Sequence, residues 1–118
     1  MASSPYAVLA TARRRALVRD YKDQPPPIGI YAVRCPAAAL LRLRASTNVQ
    51  GALNRERFEL RQGTHRDATL RQAWSLHGES AFQFQVIDVL KSREDDSASV
   101  IRDRLDELLA LWREELRA

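Results

Sequence analysis

The chain has 118 residues, a single-domain length, with 45% hydrophobic and 29% charged residues, the balance of a globular protein that needs no covalent staple. Its one cysteine, Cys35, excludes an internal disulfide framework and favours a reducing, cytoplasmic setting, and no apolar run approaches a membrane span. The net charge of +4 is uneven: residues 1–71 carry 13 Lys/Arg against 5 Asp/Glu, net +8, and residues 72–118 carry 6 against 10, net −4.

The first predicted element is a helix over residues 6–22, with Ser4 as cap, Pro5 in the first turn and a stripe of Leu9, Ala12, Ala16, Leu17 and Tyr21. Its apolar-then-basic order, ending in Arg13-Arg14-Arg15, is wrong for a secretory signal. An Arg-rich, acid-poor start also suits a transit peptide, but continuity with the next element favours a structural helix. The three arginines are most simply a solvated helix face, with phosphate contact as the alternative. The run Asp23-Gln24-Pro25-Pro26-Pro27 ends this helix and separates residues 1–26, a helix and Pro-rich linker, from a domain over 27–118.

Ile28 to Cys35, rich in β-branched and aromatic residues, reads as a strand. After a turn at Pro36 comes Leu40 to Ala45, where Leu41 and Leu43 alternate with Arg42 and Arg44. That period of two marks a second strand with one buried face, and the pair forms an antiparallel hairpin. Its other face carries two guanidinium groups, either a solvated face or a surface for phosphate. Ser46, Thr47 and Asn48 are all cap candidates for a helix with Val49, Ala52, Leu53 and Leu60 on one side and Gly63 as its C-terminal cap. Asp67 caps a further helix, in which Leu70, Ala73 and Trp74 face inward and Gly78 ends the run. Phe82, Phe84 and Val86 alternate with Gln83 and Gln85 in a third strand. A polar loop leads to a last helix, from about Val100 to Arg117, with Ile101, Leu105, Leu108, Trp112 and Leu116 in one stripe. The order αββααβα mixes strands and helices without βαβ alternation, so the class is α+β.

Gly29-Ile30-Tyr31 opening the first strand, Ser46 and Asn48 after the second, the helix Gly51 to Gly63 with its exit to His65, and the segment Leu70 to Phe84 through Ala73-Trp74 and Gly78 together resemble the GIY-YIG nuclease family. The resemblance spans about residues 27–116 and is nearest to small stand-alone bacterial members with Leu53-Asn54-Arg55 on that helix. It implies a three-stranded antiparallel sheet flanked by helices, with the N-terminal helix as an addition. It also implies metal-assisted hydrolysis of a DNA phosphodiester. That chemistry needs an oriented water, a cation for the developing charge and a carboxylate for Mg²⁺ or Mn²⁺.

Carried over by position, Tyr31 matches the tyrosine implied to act on the attacking water. The second motif falls at Arg42-Leu43-Arg44, which has no tyrosine and has Arg44 in the glycine's place. The family arginine falls at Ala52, with Arg55 the nearest substitute; a histidine falls at Glu56; the metal-binding glutamate falls at Leu109, with Asp106 or Glu107 as substitutes. The candidate catalytic residues are thus Tyr31 and Arg55, and the candidate nucleic-acid contacts are Arg42, Arg44, Asn48, Arg57 and His65. Each has an ordinary alternative: Tyr31 as a half-buried strand aromatic, His65 as a helix-end partner, Asn48 as a cap. Losing arginine and carboxylate together predicts a catalytically degenerate domain that binds nucleic acid, DNA before RNA, without a cofactor and away from membranes. The alternatives are a metal-dependent endonuclease with displaced groups, needing Mg²⁺ or Mn²⁺, and a protein-interaction or regulatory module.

Overall fold

The computed structural model describes residues 26–117, so the predicted helix over residues 6–22 and its arginines lie outside the described residues. Three strands form one antiparallel sheet: β1 (Ile28–Cys35), β2 (Leu40–Ser46) and β3 (Gln83–Leu90), in the order β2-β1-β3. β1 takes the centre because its residues are apolar on both faces; of its eight positions only Arg34 is exposed. A short 3₁₀ turn at Pro36–Ala38, closed by Ala39 at φ 55°, reverses the chain into β2. The register sets Tyr31 opposite Arg44 and Val33 opposite Arg42, so these four side chains share one face.

Three helices cover the sheet. α1 (Val49–Gln62) and α2 (Ala68–His77) lie on the face of Tyr31, Val33 and Cys35, where Val49, Leu53, Leu60, Leu70, Ala73 and Phe82 complete a core. α3 (Ala98–Leu116) covers the other face, packing Ile101, Leu105, Leu108, Leu109 and Trp112 against Ile30, Ala32 and Leu43. Each fully buried side chain of Ile30, Leu70, Val33 or Val49 contributes on the order of 1.5–3 kcal/mol of transfer free energy. The caps follow the sequence: Asn48 accepts from the Gly51 amide, Asp67 from the Thr69 and Leu70 amides, and Gly63 leaves α1 at φ 73°. α3 begins at Ala98, two residues before its predicted start, because Ser97 accepts the Val100 amide.

β3 departs from simple alternation. Ile30 pairs with Asp88 but Tyr31 with Val86, leaving Ile87 as the extra residue of a bulge. Phe84 therefore packs with the Tyr31 core, while Ile87 and Leu90 pack with α3. At the edge of this bulge Gly29 lies against β3 so closely that a Cβ there would stand 2.0 Å from the Asp88 carbonyl oxygen. Only glycine fits, which gives a steric reason for the glycine of the opening tripeptide. The α+β class and the three-stranded antiparallel sheet are as predicted. Among the described residues no helix is long and apolar enough to cross a membrane.

Candidate functional site

The helical repeat that buries Val49, Leu53 and Leu60 also turns Glu56 inward, one turn after Leu53 and one before Leu60. A carboxylate left with 7% of its surface exposed is costly unless donors surround it. Three are present. The Tyr31 hydroxyl donates to Glu56 Oε2 at 2.6 Å, His65 Nε2 donates to Glu56 Oε1, and Arg44 Nε lies 2.8 Å from Oε2. The αL exit at Gly63 turns the chain so that His65 returns beneath α1. The Asp67 amide donates to His65 Nδ1 at 3.0 Å, which places the ring proton on Nε2, facing Glu56. Arg71 fixes the same residue from behind, donating to the His65 carbonyl at 2.5 Å.

The two arginines of β2 are neither a solvated face nor a free pair. Arg42 Nε donates to Asp67 Oδ2 at 2.7 Å, and an Arg44 terminal nitrogen stands 3.9 Å from the same oxygen. Acids from α1 and the start of α2 thus reach between like charges that would otherwise repel. Partial burial alone would raise the Asp67 pKa. The Arg42 hydrogen bond, the Leu70 amide, the Arg42 charge and the Thr69 amide outweigh it and hold the carboxyl below its ordinary value. Arg44 is less well served. Its Nε–H is close to Glu56 but misaligned, and is the one buried side-chain polar atom without a hydrogen-bond partner among the described residues.

Tyr31, Arg44, Glu56, His65 and Asp67 form the wall of an open cavity of about 610 Å³, with Ser46, Ala52, Arg55, Glu59 and Arg66 also lining it. Arg55 and Arg66 are exposed and, among the described residues, enter no ion pair within 4.0 Å. Tyr31 is only 5% exposed, and its pKa is pushed well above the ordinary tyrosine value. Burial is the main cause, followed by the hydrogen bond to Glu56 and the negative charge of Glu56; the Arg44 and Arg55 charges oppose this without offsetting it. A hydroxyl so held donates a hydrogen bond and is a poor proton acceptor.

Of the residues singled out in the sequence, Tyr31, Arg44, Arg55 and His65 meet at the cavity. Arg42 stands behind it, on Asp67. Asn48 is the exposed cap of α1, and Arg57 lies over the Phe84 ring at 4.6 Å; neither lines the cavity. Asp106 and Glu107 are exposed on α3, which covers the opposite face of the sheet, and Leu109 packs into the core there. Glu56, Glu59, Arg66 and Asp67 are cavity residues that sequence reasoning did not assign to a site. Glu56 had a signal: it interrupts the apolar stripe of α1 at a position that must face inward. Among the described residues no three His, Cys, Asp or Glu side chains are placed to hold a metal ion. Both Glu56 oxygens already accept hydrogen bonds from Tyr31 and His65. Glu56, engaged on both oxygens, is therefore a poor ligand for a divalent cation.

No family profile and no curated protein matches the chain. Among solved structures, the catalytic domain of the homing endonuclease I-TevI superposes with a TM-score of 0.60 at 19% identity, covering 76% of this chain and 88% of that one. A mutant of the catalytic domain of the same intron endonuclease gives a TM-score of 0.60 at 18% identity, over 77% and 84%. At this identity the likeness is one of fold. The chain has the GIY-YIG-like fold that its sequence resemblance implies.

Proposed function

We propose that the chain is a nucleic-acid-binding domain on a GIY-YIG-like nuclease fold that does not cut. One observation carries this: the Tyr31 hydroxyl, the group the resemblance assigns to the attacking water, is buried and donates to Glu56. The tyrosine and His65 both donate to that internal carboxylate and Arg44 stands beside it, so these groups and both Glu56 oxygens are turned to each other rather than to a water or a cation. Binding draws support from charge. Residues 26–71 carry 8 Lys/Arg against 3 Asp/Glu, net +5, and Arg55 and Arg66 border the cavity without an acidic partner among the described residues. Arginine forks suit backbone phosphates.

The test is fluorescence anisotropy of a labelled DNA duplex titrated with the full chain at several salt concentrations. The account expects sub-millimolar affinity at low salt that falls linearly on a log–log plot as salt rises. Affinity independent of salt, or no binding at low ionic strength, overturns it.

A further inference from the structure

We infer that Tyr31, Arg44 and His65 form an oxyanion site for a phosphate group, closed in this chain by its own Glu56 carboxylate. The inference rests on the preceding reading for the source of the phosphate, a nucleic-acid backbone, but not for the donor set.

Three separate elements bring their donors to the two oxygens of one side chain: β1 through Tyr31, β2 through Arg44, and the exit of α1 through His65. An anion held by a hydroxyl, a guanidinium and an imidazole N–H is held as phosphate oxygens are held. The donors do not depend on Glu56 for their positions. Tyr31 is fixed by the central strand, His65 by the Asp67 amide and Arg71, and Arg44 has the Asp67 carboxylate at 3.9 Å. Glu56 is also an imperfect occupant. The Arg44 Nε–H is buried in the cavity wall with no aligned acceptor, a donor that the internal carboxylate leaves unsatisfied. The cavity in front has about 610 Å³, with Arg55, Arg66 and Ser46 on its walls, room for a phosphate still attached to its sugars. Glu56 lines the same cavity and repels a second anion by its own charge.

Glu56 thus acts as a counter-anion that denies phosphate the strongest donors and leaves Arg55 and Arg66 to bind it weakly at the rim. A purely structural Glu56 predicts the opposite response to its removal: loss of order and no gain in binding.

Calorimetric titrations with inorganic phosphate, and separately with a short DNA duplex, distinguish the two using the full chain, Glu56→Gln and Glu56→His. Both variants remove the negative charge and keep a side chain able to hydrogen-bond Tyr31. Phosphate should bind either folded variant at least about tenfold more tightly than the native chain. Adding Arg44→Ala should cancel the gain. Unchanged or weaker phosphate affinity in a folded variant overturns the inference. So does failure of both variants to fold where the native chain is folded, which assigns Glu56 to stability alone. A gain for phosphate without one for duplex supports the site and removes nucleic acid as its ligand. Duplex binding by the native chain with no phosphate gain in the variants overturns the site and leaves the binding reading intact.

Discussion

Replacing Tyr31 by phenylalanine removes one oxygen from the most enclosed part of the site. The ring stays in the core, but Glu56 keeps only His65 and the misaligned Arg44. A hydrogen bond to a charged group contributes about 1.5–3 kcal/mol, and the buried acceptor loses one of its two aligned donors. With a urea m value of about 1–2 kcal/mol/M for a domain of this size, the unfolding midpoint should fall by roughly 0.75–3 M at neutral pH. The same bond has an alkaline signature. Because the folded-state pKa of Tyr31 is raised above the ordinary 10.0, the folded state keeps its proton where the unfolded state loses it. The stabilisation is fully present below pH 10 and is lost as pH rises from there toward the folded value. Tyr31→Phe should lack that alkaline loss. In near-ultraviolet absorbance, the difference between the native chain and the variant should show a tyrosine that titrates only well above pH 10. A difference curve centred at the ordinary tyrosine value, together with unchanged urea stability, refutes the Tyr31–Glu56 bond.

Gly29→Ala places a Cβ 2.0 Å from the Asp88 carbonyl oxygen, so β1 and β3 must part; a loss of at least about 3 kcal/mol in urea unfolding is expected, with retained stability as the contrary result. Asp67 titrates below its ordinary 3.8, so the stability it contributes is present above that pH and is lost as pH falls through the lower folded value. Melting temperatures of Asp67→Asn should accordingly vary less with pH below 4 than those of the native chain, and parallel curves contradict this. Arg55→Ala and Arg66→Ala should each weaken duplex binding and each lower the slope of log affinity against log salt by about one. An Arg57→Ala chain, altered beside Phe84 and away from the cavity, should keep the native slope.

From Ile28 onward, element type and order were readable from periodicity and caps, because Asn48, Asp67, Gly63 and Gly78 do locally what such residues do in any helix. The β3 bulge was not, since Phe82, Phe84 and Val86 alternate as in a regular strand, whereas the bulge brings Ile87 and Leu90, an odd and an even position, to the α3 face together. Arg42 and Arg44 were placed on a strand by their spacing, but their fate depended on acids 12 and 25 residues away: Glu56 meets Arg44, and Asp67 meets Arg42. Pairing of that kind is set by how α1 and α2 fold over the sheet, which local pattern does not encode. Glu56 shows the limit most plainly. Its helical phase says buried, its chemistry says costly, and only the positions of Tyr31 and His65 explain how both hold.

A single gel tests the central claim most directly. Supercoiled plasmid is incubated with the full chain at low salt, with Mg²⁺ or Mn²⁺ and without either, and each sample is run both native and after the protein is removed. The account predicts retarded plasmid in the native lanes and intact supercoils after deproteinisation under every condition. Nicked or linear plasmid that disappears in Tyr31→Phe would contradict it, because Tyr31 would then be working on a phosphodiester while held by Glu56.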